Sequence, residues 1–272
     1  YGPILTIRRF PKEGFTMEKL IKYGSISLEA ANFLKQLIRC GYNCFVSGGT
    51  SSGKTTMLTA LINDMFEITN SGTMDSGKTT FLNALSEFIP KDERVITIED
   101  SAELQISSIK NIVKLETKNS NSSGCKPISI RDLIKTALRM RPDRIIVGEV
   151  RGAEVVDMLQ AFNTGHEGSM STGHANSSKD MITRLEAMYL QAMEIPLEAV
   201  KRQIASGIDI MIHLERGRDG KRRVNEINEV LGVKNGEIEL RNLFRLEMEG
   251  EKYILRKTNE LLRTDKLKRN EG

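Results

Sequence analysis

Two kinds of apolar pattern alternate along this chain. Short continuous runs at 44–46, 95–98, 112–115 and 145–147, dominated by Val, Ile and Phe, predict strands buried on both faces. Further strands are expected near 169–172 and 208–214. Between the runs, apolar residues fall at helical spacing. Ala30, Ala31, Phe33, Leu34, Leu37 and Ile38 follow Ser27, a residue suited to cap a helix start. Helices are also predicted near 54–65 and 78–88, the second stopped by Pro90. Ser129 and Asp132 have the spacing of a capping box and open a helix to about Met140, which Pro142 ends. Three more helices follow, near 152–163, 177–192 and 197–206. Strand alternating with helix predicts an α/β core: a mainly parallel sheet with helices on both faces.

The two ends of the chain read differently. Residues 1–25 mix Gly2, Pro3, Pro11, Gly14 and Gly24 with alternating apolar and basic positions, and are expected to be the remnant of a preceding domain and a linker. The main domain then covers 26–272. A first residue of Tyr1 rather than Met fits a chain that starts mid-protein. Residues 222–257 read as a small antiparallel meander turning at Gly232, Asn235-Gly236 and Gly250, followed by a basic, frayed helix to Gly272. Residues 117–127, rich in Ser and Asn, are expected to form an exposed mobile loop.

Composition narrows the class only modestly. At 272 residues and 39% apolar content the chain can bury a sizeable core. Lys and Arg number 40 against 36 Asp and Glu, and aromatics make up 5%, so neither a strong basic field nor a stacking platform for bases is present. A nucleic-acid partner is therefore not expected. No run approaches the roughly 18 apolar residues of a membrane span, and no signal peptide opens the chain, so membrane contact is expected to be peripheral. Cys40, Cys44 and Cys125 lack metal-ligand spacing and read as reduced thiols.

The chemistry is carried by a motif that occurs twice. Gly48-Gly49-Thr50-Ser51-Ser52-Gly53-Lys54-Thr55-Thr56 and, 24 positions later, Gly72-Thr73-Met74-Asp75-Ser76-Gly77-Lys78-Thr79-Thr80 both satisfy G-x-x-x-x-G-K-[ST]. Successive backbone N–H groups and a helix N-terminus can wrap a polyphosphate, the lysine reaching its outer phosphates and the threonine hydroxyl helping to hold Mg²⁺. The expected ligands are ATP and Mg²⁺.

Hydrolysis also needs carboxylates to order metal or water, and cations to neutralise charge on the transferring phosphate. Glu149 follows the strand at 145–147, and Glu99 and Asp100 follow the strand at 95–98, where α/β sheets place ligand-facing groups. Capping of the next helix is the alternative role for each. His174 follows another strand and precedes a helix, so it is a candidate sensor of the γ-phosphate side. Arg139, Arg141, Arg144 and Arg151 surround the Glu149 strand and suit a triphosphate, the bound one or a neighbour's. A solvated helix end paired with Asp143 and Glu154 is their other reading. The basic run Arg216, Arg218, Lys221, Arg222 and Arg223 reads as a solvated hairpin.

Taken together, these boxes resemble those of the type II/type IV secretion ATPase superfamily, most closely its CpaF-like members of Tad-type pilus assembly. Residues 47–56 resemble the family's Walker A and residues 97–104 its Asp box. Residues 137–151 resemble its Walker B region, and Gly165-His166 with residues 171–176 its His box. The resemblance implies a RecA-like P-loop core and a homohexameric ring. It implies ATP hydrolysis coupled to subunit movement on the cytoplasmic, inner face of the cell membrane, beside an inner-membrane platform protein; the alternatives are an ATP-binding but catalytically impaired assembly module and a DNA-translocating RecA-like motor. It also implies Glu99 and Glu149 as catalytic or metal-ordering carboxylates, and arginines acting across a subunit boundary, with Arg139, Arg141 and Arg151 as the candidates.

The doubled loop departs from that family pattern. Removing 24 residues, Thr55 through Lys78, restores an unbroken family-like sequence, so 55–78 reads as a tandem duplication. The first copy follows the better strand and is the expected site: Gly48, Gly49, Ser52, Gly53, Lys54, Thr55 and Thr56 around the nucleotide, with Thr55 and Glu149 toward Mg²⁺. The alternative is Gly72, Gly77, Lys78 and Thr79, whose helix runs into the strand at 95–98 at the family's distance.

Overall fold

The computed structural model describes residues 16–49, 77–119, 126–217, 219–250 and 252–270. In chain order these form α1 (Met17–Lys22), α2 (Leu28–Arg39), β1 (Cys44–Gly48), α3 (Lys78–Ser86), β2 (Arg94–Glu99), β3 (Asn111–Glu116) and α4 (Ile130–Ala137). There follow β4 (Arg144–Val147), α5 (Glu154–Asn163), β5 (Met170–His174), α6 (Ser178–Ala192), α7 (Leu197–Gly207) and β6 (Ile210–Arg216). The chain closes with β7 (Arg222–Lys234), β8 (Glu237–Glu249), β9 (Lys252–Lys257) and α8 (Asp265–Asn270).

Side chains on a strand alternate between faces, and here the alternation divides the core. Cys44 and Val46 of β1, with Ile210 and Ile212 of β6, pack with α1, α2 and α3 on one side of the sheet. Phe45 and Met211, from the same strands, pack with α4, α5, α6 and α7 on the other. The nine strands run in the order β3-β2-β4-β5-β1-β6-β7-β8-β9. Pairing is parallel from β3 through β6 and antiparallel from β6 to β9. This is the α/β architecture expected from the sequence, including its antiparallel C-terminal meander.

The helix starts follow local chemistry. Ser27 accepts from the Ala30 amide at 3.3 Å. Ser129 and Asp132 cap each other's backbone amides, at 3.3 Å for the hydroxyl and 3.0 Å for the carboxylate. A cap of this kind contributes about 1 kcal/mol.

Four expectations need revision or fall outside the description. Within the segment read as a linker, residues 17–22 form a helix capped by Thr16, and its Met17 and Leu20 are buried in the core. The helical spacing there spans too few residues to register as a periodic signal. Residues 1–15 and the helix expected at 54–65 lie outside the described residues. The Ser/Asn-rich loop is described only at its ends, where Lys118 and Ile128 exchange backbone hydrogen bonds at 3.0 and 2.8 Å. The basic tail forms only a short helix, α8, and it is docked: Lys266 Nζ donates to Asp209 at 2.8 Å and to the Gly41 carbonyl at 2.9 Å. The Tyr42 hydroxyl donates to the Arg263 carbonyl at 2.6 Å.

Candidate nucleotide site

Parallel register brings the C-terminal ends of β2, β4, β5 and β1 to one edge of the sheet, with Gly48 opposite His174, Val147 opposite Ser171 and Ile98 opposite Val147. Such an edge is where open α/β sheets bind ligands. The backbone beyond the strands is tied down as well. Gly148 N donates to Ile98 O at 2.8 Å, Val150 N to Thr172 O at 2.9 Å, and Thr172 Oγ1 to Gly148 O at 2.6 Å. Glu149 is thereby held between β2 and β5.

Helix α3 meets this edge with its N-terminus. Gly77 caps it at φ +86°, a left-handed conformation that favours glycine, and its carbonyl accepts from Phe81 N at 2.9 Å. Phe81, Leu82 and Leu85 anchor the helix in the core. Among the described residues, β1 leads into the first copy of the repeated motif, and α3 begins in the second. Gly48, Gly49, Gly77, Lys78 and Thr79 are described; Ser52, Gly53, Lys54, Thr55, Thr56 and Gly72 lie outside the described residues.

Lys78, 2% exposed, reaches His174, with Nζ 3.1 Å from Nδ1. An ammonium can only donate, so Nδ1 is the acceptor and the ring proton sits on Nε2. That nitrogen lies 2.6 Å from Glu149 Oε1, a close contact without hydrogen-bond alignment, and among the described residues Oε1 has no aligned donor. Glu149 Oε2 accepts from Arg151 Nη2 at 2.6 Å and from Nε at 2.9 Å. Burial alone would push the Glu149 carboxyl up, but the contacts with His174 and Arg151 outweigh it and hold the group at about 2. Arg151 Nη1 also reaches Asp100 at 3.3 Å.

Glu99, 5% exposed, behaves differently. Burial pushes its carboxyl above the usual range, partly offset by the Leu104 and Glu103 amides, which donate to Oε1 at 3.0 and 3.1 Å. A Cβ on residue 148 would lie 2.9 Å from Glu99 Cγ, so Gly148 permits the close approach of β2 and β4 at the site.

The remaining arginines separate. Arg139 and Arg141 are exposed and precede β4, at the strand end opposite to Glu149. Arg144 is 2% exposed and structural: its guanidinium pairs with both Glu93 oxygens and donates to the Ile38 carbonyl at 2.6 Å. His213, given no role by the sequence, is buried beneath the site with Nδ1 2.9 Å from Ser47 Oγ, and burial lowers its pKa. The parallel register of Ser47 with His213 creates this pair, and nothing in the linear sequence signals it.

A mostly parallel sheet, a glycine-capped helix entering at its C-terminal edge and a buried lysine against a histidine that contacts Glu149 define a RecA-like, phosphate-loop core. The chain belongs to the type II/IV secretion system protein family: the family model matches residues 1–71 and again 63–239. The two matches overlap at residues 63–71, just ahead of the second loop. A putative conjugal transfer protein of Mycobacterium tuberculosis is 36% identical over 226 residues, 83% of this chain and 57% of that protein. The type IV secretion system protein PtlH of Bordetella pertussis is 40% identical over 201 residues, 72% of this chain and 52% of that one. The chain thus spans a little over half the length of these curated relatives. Among solved structures, the VirB11 ATPase of the Brucella suis type IV secretion system, in complex with sulphate, superposes with a TM-score of 0.58 at 29% identity, covering 76% of this chain and 53% of that one. The pilus retraction motor PilT with bound ADP shares the fold, with a TM-score of 0.56 at 23% identity over 84% of this chain and 56% of that one. Among the described residues, no helix is long and apolar enough to cross a membrane.

Proposed function

We propose that this protein binds and hydrolyses ATP, with Gly77, Lys78 and Thr79 as its working phosphate loop. The observation that carries the reading is the contact chain Lys78, His174, Glu149 at the C-terminal edge of the sheet. Lys78 would leave His174 for the outer phosphates, while the α3 amides and the positive end of the helix receive the others. Glu149, ionised at neutral pH, would order the attacking water, and Arg151 would offset negative charge. Glu99, raised by burial and braced by two amides, would support Glu149 through the Gly148 contact. The residues fit Mg²⁺: Glu149 Oε1 is a buried carboxylate oxygen without an aligned donor among the described residues, and Thr79 supplies a hydroxyl on the first turn of α3. When bound, the ion would neutralise phosphate charge.

On the scale of the cell, the proposal is a homohexameric motor on the cytoplasmic face of the inner membrane. It would couple ATP turnover to subunit movement against a platform protein of a secretion or pilus system. Names such as conjugal transfer and type IV secretion among the relatives support that class; Tad-type pilus assembly is the finer reading, supported by the motif resemblance. Arg139 and Arg141, remote from Glu149 along their own strand, would act on a neighbouring subunit's nucleotide. The repeated motif favours a second reading, in which ATP binds without turnover. Phosphate release from ATP by the purified protein, with mass by light scattering, tests both. Release together with a hexameric mass supports the motor, and ATP binding without release selects the second reading.

A further inference from the structure

The hairpin joining β6 to β7 stands at the same sheet edge as the start of α3. Gly48 pairs with Leu214, so β6 continues past the end of β1 by Glu215 and Arg216, and Arg216 faces Arg222 at the start of β7. Its basic residues diverge. Arg223 is held by Asp219 through two hydrogen bonds, at 2.9 and 2.6 Å, and lies over the Tyr253 ring. Arg216 Nε donates to the Gly220 carbonyl at 3.1 Å. Arg222 turns toward the loop: its Cδ is 3.0 Å, and its Nε 4.0 Å, from the position a Cβ on residue 77 would take. The absence of a side chain at Gly77 is what lets this arginine lie against the residue preceding Lys78.

We infer that Arg222 is a further cation of the nucleotide site, directed at the polyphosphate that Lys78 and the start of α3 receive. This rests on the reading of Lys78 as the working lysine. A lysine, a guanidinium and the positive end of a helix are each complementary to phosphate. A triphosphate offers several acceptors to a planar, permanently charged donor. A solvated hairpin would place Arg222 in water, whereas its stem fills the space over Gly77.

The test separates charge from packing. Arg222→Met keeps an unbranched stem against Gly77 and removes the charge; Arg222→Lys keeps a charge without the fork. Binding of a non-hydrolysable ATP analogue and of inorganic tripolyphosphate is measured by calorimetry, with Lys78→Ala in parallel and thermal melting as the control. The methionine variant is expected to melt like the parent protein and to bind both probes about tenfold more weakly, with lysine restoring part of the loss. Should methionine lower the melting temperature, Arg222→Gln carries the same expectation. Parent-like affinity in the uncharged variants, while Lys78→Ala loses binding, would overturn the role of Arg222 and leave the site standing. Undiminished binding in Lys78→Ala would overturn the reading of the site itself.

Discussion

The Lys78 ammonium and the His174 imidazole meet at 3.1 Å, joining the helix that follows the second phosphate loop to the end of the strand beside β1. Through its other nitrogen His174 reaches Glu149, and in the proposed function the lysine would exchange this histidine for phosphate. His174→Ala should leave the KM for ATP nearly unchanged, since Lys78 loses a competitor rather than a ligand, while kcat falls by up to about a hundredfold as Glu149 loses the imidazole that positions it. Steady-state kinetics separate the two constants. A large rise in KM with kcat preserved would show that His174 serves binding instead.

Glu149 also marks the pH response of the fold. Its carboxyl is held at about 2, below the ordinary value of 4.5. Its contribution to stability is therefore complete above about 4.5 and is lost as pH falls toward 2. Urea unfolding of Glu149→Gln should show a variant less stable than the parent at pH 7, with the gap narrowing below about pH 4.5 and closing only at about pH 2 and below. A gap independent of pH would mean that the ionised group has no favourable partners in the folded state.

Arg144 separates architecture from chemistry. Buried at the start of β4, it is paired with Glu93 and bonded to the carbonyl of Ile38 in α2. Arg144→Ala strands Glu93 and that carbonyl, and should cost about 3–5 kcal/mol in chemical denaturation, as breaking a buried pair does. A loss below about 1 kcal/mol, the scale of exposed pairs, would contradict a structural role.

Much of this arrangement could be read in advance, and the reasons are local. The strands at 95–98 and 145–147 announce themselves because both faces are buried and their apolar runs are unbroken; Glu99 and Glu149 follow directly from the strand ends. The box formed by Ser129 and Asp132 fixes a helix start with residues three apart. Contacts between residues distant in sequence were not legible. Arg144 differs from Arg139 and Arg141 only because Glu93 and Ile38 arrive from elsewhere, and Ser47 meets His213 only through the β1–β6 register. The repeat posed a similar problem. Strand quality favours the first copy and helix continuity the second; among the described residues, α3 of the second copy meets His174.

Which lysine handles phosphate is the central question for this molecule. Phosphate release from ATP should be followed for Lys78→Ala and Lys54→Ala side by side, in protein of verified fold. Loss of turnover by a hundredfold or more in the Lys78 variant, with the Lys54 variant near the parent rate, is the predicted result. Turnover that survives Lys78→Ala and disappears in Lys54→Ala would contradict it.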